Sequence, residues 1–267
     1  MAIEQTALRL LVFAGVFSLL VAGETVWPRR AKARQARRWA ANFGLLVLNT
    51  AALRLMSVAL PALAVAAAYG AEQWHWSLLR LLEAPDAVAL IAGFVALDLA
   101  VYGQHVAMHS APLLWRIHRV HHADTEFDVT TGLRFHLLEI LVSQAWKIGV
   151  IILVGVPVAT AIAFEIVLNA SSMFSHANLK LPSAVDRWLR LAIVTPDMHR
   201  VHHSVEGDER DRNYGFNFAL WDRLFATYRA QARAPQETMP IGLAALPQGE
   251  AENLLWLLRF PFARELP

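Results

Sequence analysis

His118-Arg119-Val120-His121-His122 occurs a second time in the chain, letter for letter, as His199-Arg200-Val201-His202-His203. A third histidine cluster, His105-Val106-Ala107-Met108-His109, precedes the first copy. Side chains three and four residues apart share one face of a helix, and neutral imidazole is a common ligand of iron, zinc and copper. Eight of the eleven histidines fall in these clusters, which argues against unrelated surface histidines. The clusters predict a polyhistidine site for two metal ions.

The composition indicates a membrane protein with no redox group of its own. Of the 267 residues, 56% are hydrophobic, and the mean hydropathy of +0.38 is high for an ordinary soluble domain. The absence of cysteine excludes disulfides, thiolate metal sites and iron–sulfur clusters. The sequence contains no phosphate-binding loop and no dinucleotide fingerprint, so a reductant has to come from elsewhere. The net charge of +2 is small, and no nucleic-acid partner is expected.

Several apolar runs are long enough to span a bilayer as helices. The first run covers residues 7–27 and is expected to remain as an anchor, because it lacks the basic start and cleavage site of a signal peptide. The second lies within residues 42–69, and the third covers residues 87–108. Residues 137–173 are interrupted near Gly155 and Pro157, and their length suits a hairpin of two helices. We therefore expect an all-α fold: a multi-span integral membrane helical bundle with a cytoplasmic helical cap that carries the metal site.

A cluster of cations predicts which side of the membrane the site faces. Six basic residues lie among residues 29–38, between the first two spans. Such a run is often a solvated loop or a lipid-headgroup contact, but between two apolar segments it indicates the cytoplasmic side. The second span then leads outward, the third leads back, and the hairpin returns to the same face. All histidine clusters are thus expected at the cytoplasmic face. His75, between two tryptophans at a predicted interface, is excluded from the site.

The order of the histidine motifs on a multi-span chain resembles the fatty acid hydroxylase/sterol desaturase superfamily. The resemblance covers residues 98–228, about half of the chain. Further landmarks that look like those of the family are Trp115, residues 131–136 with Glu139, residues 169–178, residues 195–197, residues 213–215 and residues 221–225. The departures are Leu137, where the family often has proline, and Ala226, where glycine is usual.

The resemblance implies a non-haem di-iron centre that uses O2 to hydroxylate or desaturate a C–H bond of a lipid, such as a sterol or a fatty acyl chain. Two iron ions would be the cofactor, and electrons would come from a ferredoxin or cytochrome b5-like carrier with its reductase. The expected location is a membrane, in a bacterium the inner membrane, with the active site on the cytoplasmic face. The predicted metal ligands, which share the helical spacing and the membrane face, are His105, His109, His118, His121, His122, His176, His199, His202 and His203.

A further set of residues is predicted either to bind metal or to orient the ligand rings by hydrogen bonds. Each acid in this set has an alternative as a surface or helix-capping residue. The set comprises Asp98, Asp124, Asp128, His136, Glu139, Asn178 and Asp197. A landing patch for an acidic electron carrier is predicted at Arg187, Arg190, Arg200, Arg210, Arg212 and Arg223.

Two other functions remain open at this level. A zinc-dependent membrane hydrolase would also use histidine clusters, although its usual H-E-x-x-H motif is absent. A metal-binding or transport protein would place its ligands at mid-bilayer depth, whereas these clusters flank the spans. For the domain organisation we expect anchor helices with a basic loop at residues 1–85, a fatty acid hydroxylase-like catalytic domain at residues 86–230, and a C-terminal tail at residues 231–267.

Overall fold

The computed structural model describes residues 2–31, 36–59, 70, 77–247 and 249–263 of the chain. These residues contain helices and isolated β-bridges but no β-strand, which confirms the all-α prediction. We number their α-helices in chain order: α1 Ala2–Val26, α2 Ala36–Ala59, α3 Leu78–Leu81, α4 Asp86–Ser110, α5 Pro112–His122, α6 Leu137–Val154, α7 Val158–Ser175, α8 Ser183–Leu189, α9 Pro196–His202, α10 Gly207–Arg210, α11 Leu220–Leu224 and α12 Leu254–Arg259. Short 3₁₀ turns cover Thr131–Leu133, Glu250–Glu252 and Phe260–Phe262.

Within the described residues, α1, α2, α4, α6 and α7 are long and apolar enough to cross a membrane. These five helices form a ring. Helix α7 packs between α1 and α4, and α6 packs between α4 and α2. The ring closes where Phe17 of α1 meets Trp39 and Phe43 of α2, at ring-centroid distances of 6.3 and 5.6 Å. The predicted spans agree with these helices, except that residues 60–69 of the second span and residues 74–76, with His75, lie outside the described residues.

The turn between α6 and α7 confirms the predicted hairpin. Gly155 ends α6 with a φ of 78°, a left-handed conformation that glycine adopts without strain, and its N–H donates to the carbonyl of Ile151. Pro157 then precedes α7 and prevents a continuous helix. Val156 packs with Phe164 and neighbouring residues of α4 in a buried apolar cluster. The hairpin therefore closes one end of the ring.

A cap of short helices covers the other end of the ring. Helix α5 begins directly after α4, with Pro112 in its first turn, where a missing N–H costs nothing. The C-terminal residues pack against this cap, because α12 contacts α2 and the turn Phe260–Phe262 contacts α5. Val120 and Leu257 are fully buried in the resulting apolar cluster. The division into three domains stays a prediction, since residues on both sides of the catalytic segment pack closely onto it.

The basic segment at residues 29–38 lies against the cap, and its described cations are structural. Arg29 pairs with Asp197 at 2.8 Å, and Arg30 donates to the carbonyl of Met239 at 2.8 Å. Arg38 is buried and binds two carboxylates. The picture of a solvated loop therefore does not hold for these three arginines, because folding gives each of them a protein partner. The contacts place the segment at the same end of the ring as the histidine clusters.

Candidate metal centre

The structure brings the nine histidines predicted as ligands together in two adjacent groups. One ring nitrogen from each member lies within 4.8 Å of those of its group. The first histidine group consists of His105, His109, His118, His122 and His202. The second histidine group consists of His121, His176, His199 and His203. Rings of the two groups also contact each other, with 4.6 Å between the centroids of His122 and His203.

The spacing within the repeated pentapeptide explains why each copy contributes to both groups. At 3.6 residues per turn, the first and fifth positions of H-x-x-H-H lie roughly 40° apart around a helix, while the fourth projects to the other side of the first. In the first copy, His118 and His122 accordingly join the first group and His121 the second. In the second copy the assignment is reversed, and the middle histidine joins the first group. Two helices facing each other can therefore bracket two ions.

The nitrogens of the second histidine group are arranged as a single ion requires. Nε2 of His176 lies 3.0, 3.1 and 3.2 Å from Nε2 of His121, His199 and His203. His176 and His121 each donate Nδ1–H to a backbone carbonyl, at 2.6 and 3.1 Å. In the neutral rings both Nε2 atoms then carry lone pairs that face each other and need a cation between them. Nitrogens about 2.1 Å from one ion lie roughly 3 Å apart at a right angle, which fits the observed spacing.

The first histidine group shows the same orientation of its rings. Nδ1 of His105 donates to the Tyr214 carbonyl at 2.8 Å, and Nδ1 of His202 donates to the Arg212 carbonyl at 2.7 Å. Nδ1 of His118 lies 2.6 Å from the Glu139 carboxylate. In these three rings Nε2 is buried without a hydrogen-bond partner among the described residues. Buried polar atoms are normally satisfied, and a metal ion would satisfy these.

Burial keeps the imidazoles in the form that binds metal. Burial lowers the pKa of five imidazoles well below the ordinary value, and neighbouring imidazoles lower it further. These five are His121, His122, His199, His202 and His203. Burial likewise lowers the pKa of His176, to about 4. These rings are therefore neutral at physiological pH, as ligation requires.

Among the residues predicted to assist the ligands, Glu139 contacts an imidazole directly. Asp98 instead accepts from the indole N–H of Trp221 at 2.8 Å. His136 caps α6 by accepting from the Leu138 N–H at 3.1 Å, and it belongs to neither histidine group.

The remaining members of that set bind arginines of the basic segment. Asp124 and Asp128 bind Arg38. Asp197 pairs with Arg29 and Arg200, and the Asn178 side chain accepts from the Arg30 backbone N–H. These side chains support the cap on which the histidines stand.

Two of the contacts that orient ligand rings, those of Asp211 and of the Tyr214 carbonyl, were not predicted from the sequence. Asp211 lies 3.1 Å from Nδ1 of His109, and no motif connects these two distant residues. The Tyr214 carbonyl that orients His105 is itself fixed by Asp222, which accepts from the backbone N–H groups of Tyr214 and Gly215 at 2.7 and 2.8 Å. A Cβ on Gly215 would lie 2.7 Å from this carboxylate, so the close approach requires glycine. The sequence Asn213-Tyr214-Gly215 was the feature from which this contact could have been predicted.

The predicted arginine patch has to be corrected at Arg200. This side chain is fully buried and binds Asp197 at 2.5 Å and Gln236 at 3.0 Å, so it cannot contact a docking partner. Arg119, at the same position of the first pentapeptide copy, is also buried and stacks 4.3 Å over the Phe260 ring. The arginines of the repeat therefore anchor the helices that carry the histidines.

A cavity of about 330 Å³ lies inside the ring of helices and reaches the first histidine group. His105, His118 and Glu139 line one end of it, and side chains from all five ring helices line its wall. A second cavity, of about 230 Å³, continues between α1 and α7 and shares Phe13 and Leu46 with the first. The space beside the histidines is thus lined mainly by side chains of the five apolar helices.

The comparisons with known proteins agree with this geometry. The model of the fatty acid hydroxylase family matches residues 90–227. The chain is 29% identical to an ornithine lipid hydroxylase, OlsE, of Rhizobium tropici over 80% of this chain and 59% of that protein. It is 26% identical to the alkylglycerol monooxygenase of Homo sapiens over 58% of this chain and 34% of that protein. A fatty acid hydroxylase, vlmA, of a Lecanicillium species is 29% identical over 50% of this chain and 40% of that protein.

The chain thus spans between about a third and three fifths of the length of these relatives. No solved structure matches it significantly. The family match covers more than half of the chain and includes all nine grouped histidines. The chain belongs to the fatty acid hydroxylase family.

Proposed function

We propose that this protein is a membrane-bound di-iron oxygenase that hydroxylates a C–H bond of a lipid. The observation that carries the proposal is the pair of adjacent histidine groups, built from buried neutral imidazoles, at the end of a cavity inside the membrane helices. The names of the relatives support hydroxylation, since a lipid hydroxylase and a monooxygenase are among them. Desaturation is the alternative outcome at the same type of centre.

The two histidine groups would each hold one iron ion. Iron, when bound, supplies the activation of O2 and the oxidising power that amino-acid side chains lack. The protein residues fix its surroundings: Glu139 and the Tyr214 carbonyl hold the rings of His118 and His105, so that Nε2 points inward. Burial of the rings excludes bulk water and keeps the nitrogens unprotonated. A lipid chain bound in the cavity would lie beside the first histidine group.

Zinc hydrolysis and metal transport receive less support from the same geometry. A catalytic zinc site uses three protein ligands and a water, whereas five and four imidazoles converge here. A transport path would run through the bilayer, whereas the histidines lie at one end of the ring beneath the cap. Metal transport would also leave the cavity beside the histidines without a role.

Electrons for this reaction would come from a carrier outside these 267 residues. The sequence has no cysteine for an iron–sulfur cluster and no dinucleotide fingerprint. We infer that a ferredoxin or cytochrome b5-like protein, with its reductase, docks on the cytoplasmic face. Turnover is accordingly expected only when carrier and reductase are added, and its rate should fall with salt if docking is electrostatic.

Expression in a host of defined lipid content, followed by lipid mass spectrometry, tests the proposed reaction. A lipid that gains one oxygen atom indicates hydroxylation, and one that loses two hydrogen atoms indicates desaturation. His121→Ala should abolish the product, while His75→Ala, at a histidine outside the three sequence clusters, should not. A fully active His121→Ala protein, or a product independent of O2, would contradict the proposal.

A further inference from the structure

A cluster of three charged residues lines the cavity between α1, α6 and α7, two helical turns or more from the end that carries the histidines. Arg9 of α1 pairs with Glu165 of α7, with 2.8 Å between Nη1 and Oε2. Lys147 of α6 lies 3.7 Å from the same carboxylate, measured from Nζ to Oε1. All three side chains line the larger cavity, and Arg9 and Glu165 also line the second. Charged groups at membrane depth are costly and mark functional sites.

The cluster has more positive charge and more hydrogen-bond donors than its own carboxylate can satisfy. Two cations face one carboxylate, so the cluster carries one net positive charge. Nε of Arg9 is buried and has no hydrogen-bond partner among the described residues. The separation of 3.7 Å between Lys147 and Glu165 is too long for a hydrogen bond. An oxyanion placed between the two cations would accept from both, which water-poor surroundings strengthen.

The surrounding wall favours a ligand that has both a polar group and an apolar chain. Oδ1 of Asn49 and Oε1 of Gln104 line the same cavity and are buried without a partner among the described residues. Phe13 and Leu133 provide apolar surface between the charged cluster and the histidines. Both oxygens only accept hydrogen bonds, so they suit a hydroxyl or N–H group of the ligand and not its anionic group, and Gln104 directly precedes His105 of the first histidine group.

The position of the cluster gives the approximate distance between the anionic group of a bound lipid and its reacting carbon. Lys147 follows Glu139 by eight residues on α6, which corresponds to about 12 Å along the helix. Glu139 contacts His118 of the first histidine group. The second cavity continues from Arg9 and Glu165 along the contact between α1 and α7. It offers a lipid a lateral path from the bilayer to the charged cluster.

We propose that Arg9 and Lys147 bind an anionic group, a carboxylate or a phosphate, of the lipid whose chain reaches the histidine groups. This inference rests on the proposed function in taking the bound lipid as the substrate. The oxidised carbon then lies on the order of 10 to 15 Å from the anionic group, since the two positions on α6 are about 12 Å apart. Glu165 limits the affinity by competing for both cations, which lets the lipid leave after reaction. The alternative is an ion pair that only holds α1 against α7.

Binding needs neither metal nor turnover, so it tests this site separately from the oxygenase chemistry. The purified protein in detergent is titrated calorimetrically with palmitate, hexadecyl phosphate and the uncharged hexadecanol. We expect both anionic amphiphiles to bind at least about tenfold more tightly than hexadecanol. Arg9→Gln and Lys147→Gln should each remove most of this preference. Arg259→Gln, at an exposed arginine of α12, should retain it.

Glu165→Gln provides the decisive control. It breaks the same ion pairs as the two cation variants, yet it should strengthen the binding of anionic amphiphiles, because it removes the competing carboxylate. Weakened binding in this variant, or equal affinity of native protein for palmitate and hexadecanol, would overturn the proposal. Inorganic phosphate that competes as strongly as hexadecyl phosphate would identify a free anion instead and would also overturn it. A preserved preference without oxygenase activity would refute only the proposed function.

Discussion

Replacement of Arg38 by methionine should destabilise the cap that carries the histidines. The guanidinium binds Asp124 through Nε and Nη2 at 2.5 and 2.9 Å, and Asp128 through Nη1 at 2.7 Å. A third partner is the Thr131 hydroxyl, which accepts from Nη2 at 2.8 Å. Arg38, Asp124 and Asp128 are all at most 3% exposed. These contacts tie α2 to the segment that directly follows the first pentapeptide copy.

The expected loss of unfolding free energy follows from the two carboxylates that Arg38→Met leaves without their main partner. Burial raises the pKa of Asp124 and of Asp128, but Arg38, acting with Arg134 and Thr131 on Asp124 and with Thr130 on Asp128, lowers both, so each pKa lies below its usual value and both groups are ionised. Removal of one partner of a buried ion pair costs about 3 to 5 kcal/mol of unfolding free energy. For a chain of this size that corresponds to roughly 6 to 20 °C in Tm. The iron content should fall as well.

Thermal unfolding of the purified protein, with the metal content measured on the same samples, provides the assay. Arg37→Met is the matched control, because Arg37 is the exposed neighbour on the same helix. Its Tm should change by no more than about 2 °C. The variant Arg38→Met with Asp124→Asn and Asp128→Asn should recover part of the loss, since the two buried carboxylates no longer carry uncompensated charge and Arg134 keeps its hydrogen bonds to Val120 and Asn42. Equal Tm values for Arg37→Met and Arg38→Met would refute the reasoning.

Two further predictions concern the ring-orienting contacts and the topology. Gly215→Ala should lower the metal content, because its Cβ would lie 2.7 Å from the Asp222 carboxylate. Gly149→Ala, with open space around it, should leave the metal content unchanged. Equal metal content in the two variants would contradict a role of Gly215 and Asp222 in orienting His105. In intact cells, a membrane-impermeant thiol reagent should label a single cysteine at Asp86, at the hairpin end of α4, but not one at Ala230 beside the cap. Both positions are exposed, and the native chain has no competing cysteine. Labelling of the Ala230 cysteine would contradict a cytoplasmic site.

Local sequence patterns predicted the helices and the faces that bear the histidines. The spacing of His118, His121 and His122 fixes their directions on any α-helix, whatever packs against it. Gly155 and Pro157 interrupt an apolar run for backbone reasons that need no tertiary partner. These elements were therefore available from the sequence. The convergence of nine imidazoles followed once the membrane hairpin returned the chain to the same face.

Long-range partners could not be predicted in the same way. The cation run containing Arg38 has the composition of a loop at a membrane surface, and only the packing of α2 against the cap gives it buried carboxylate partners. Asp211 and His109 are 102 residues apart, so their contact depends on how the cap folds. The burial of Arg200 also depends on long-range packing. A pentapeptide specifies on which face of a helix a side chain lies, but not which residues cover that face.

The central claim is that two histidine groups hold two metal ions. Quantification of iron per chain tests this claim most directly. The native protein should contain two iron ions per chain after reconstitution. His105→Ala, in the first histidine group, and His176→Ala, in the second, should each lower the iron content by about one ion, while His136→Ala should leave it unchanged. Native protein that binds at most one iron ion, or iron content unaffected by both group variants, would contradict the account.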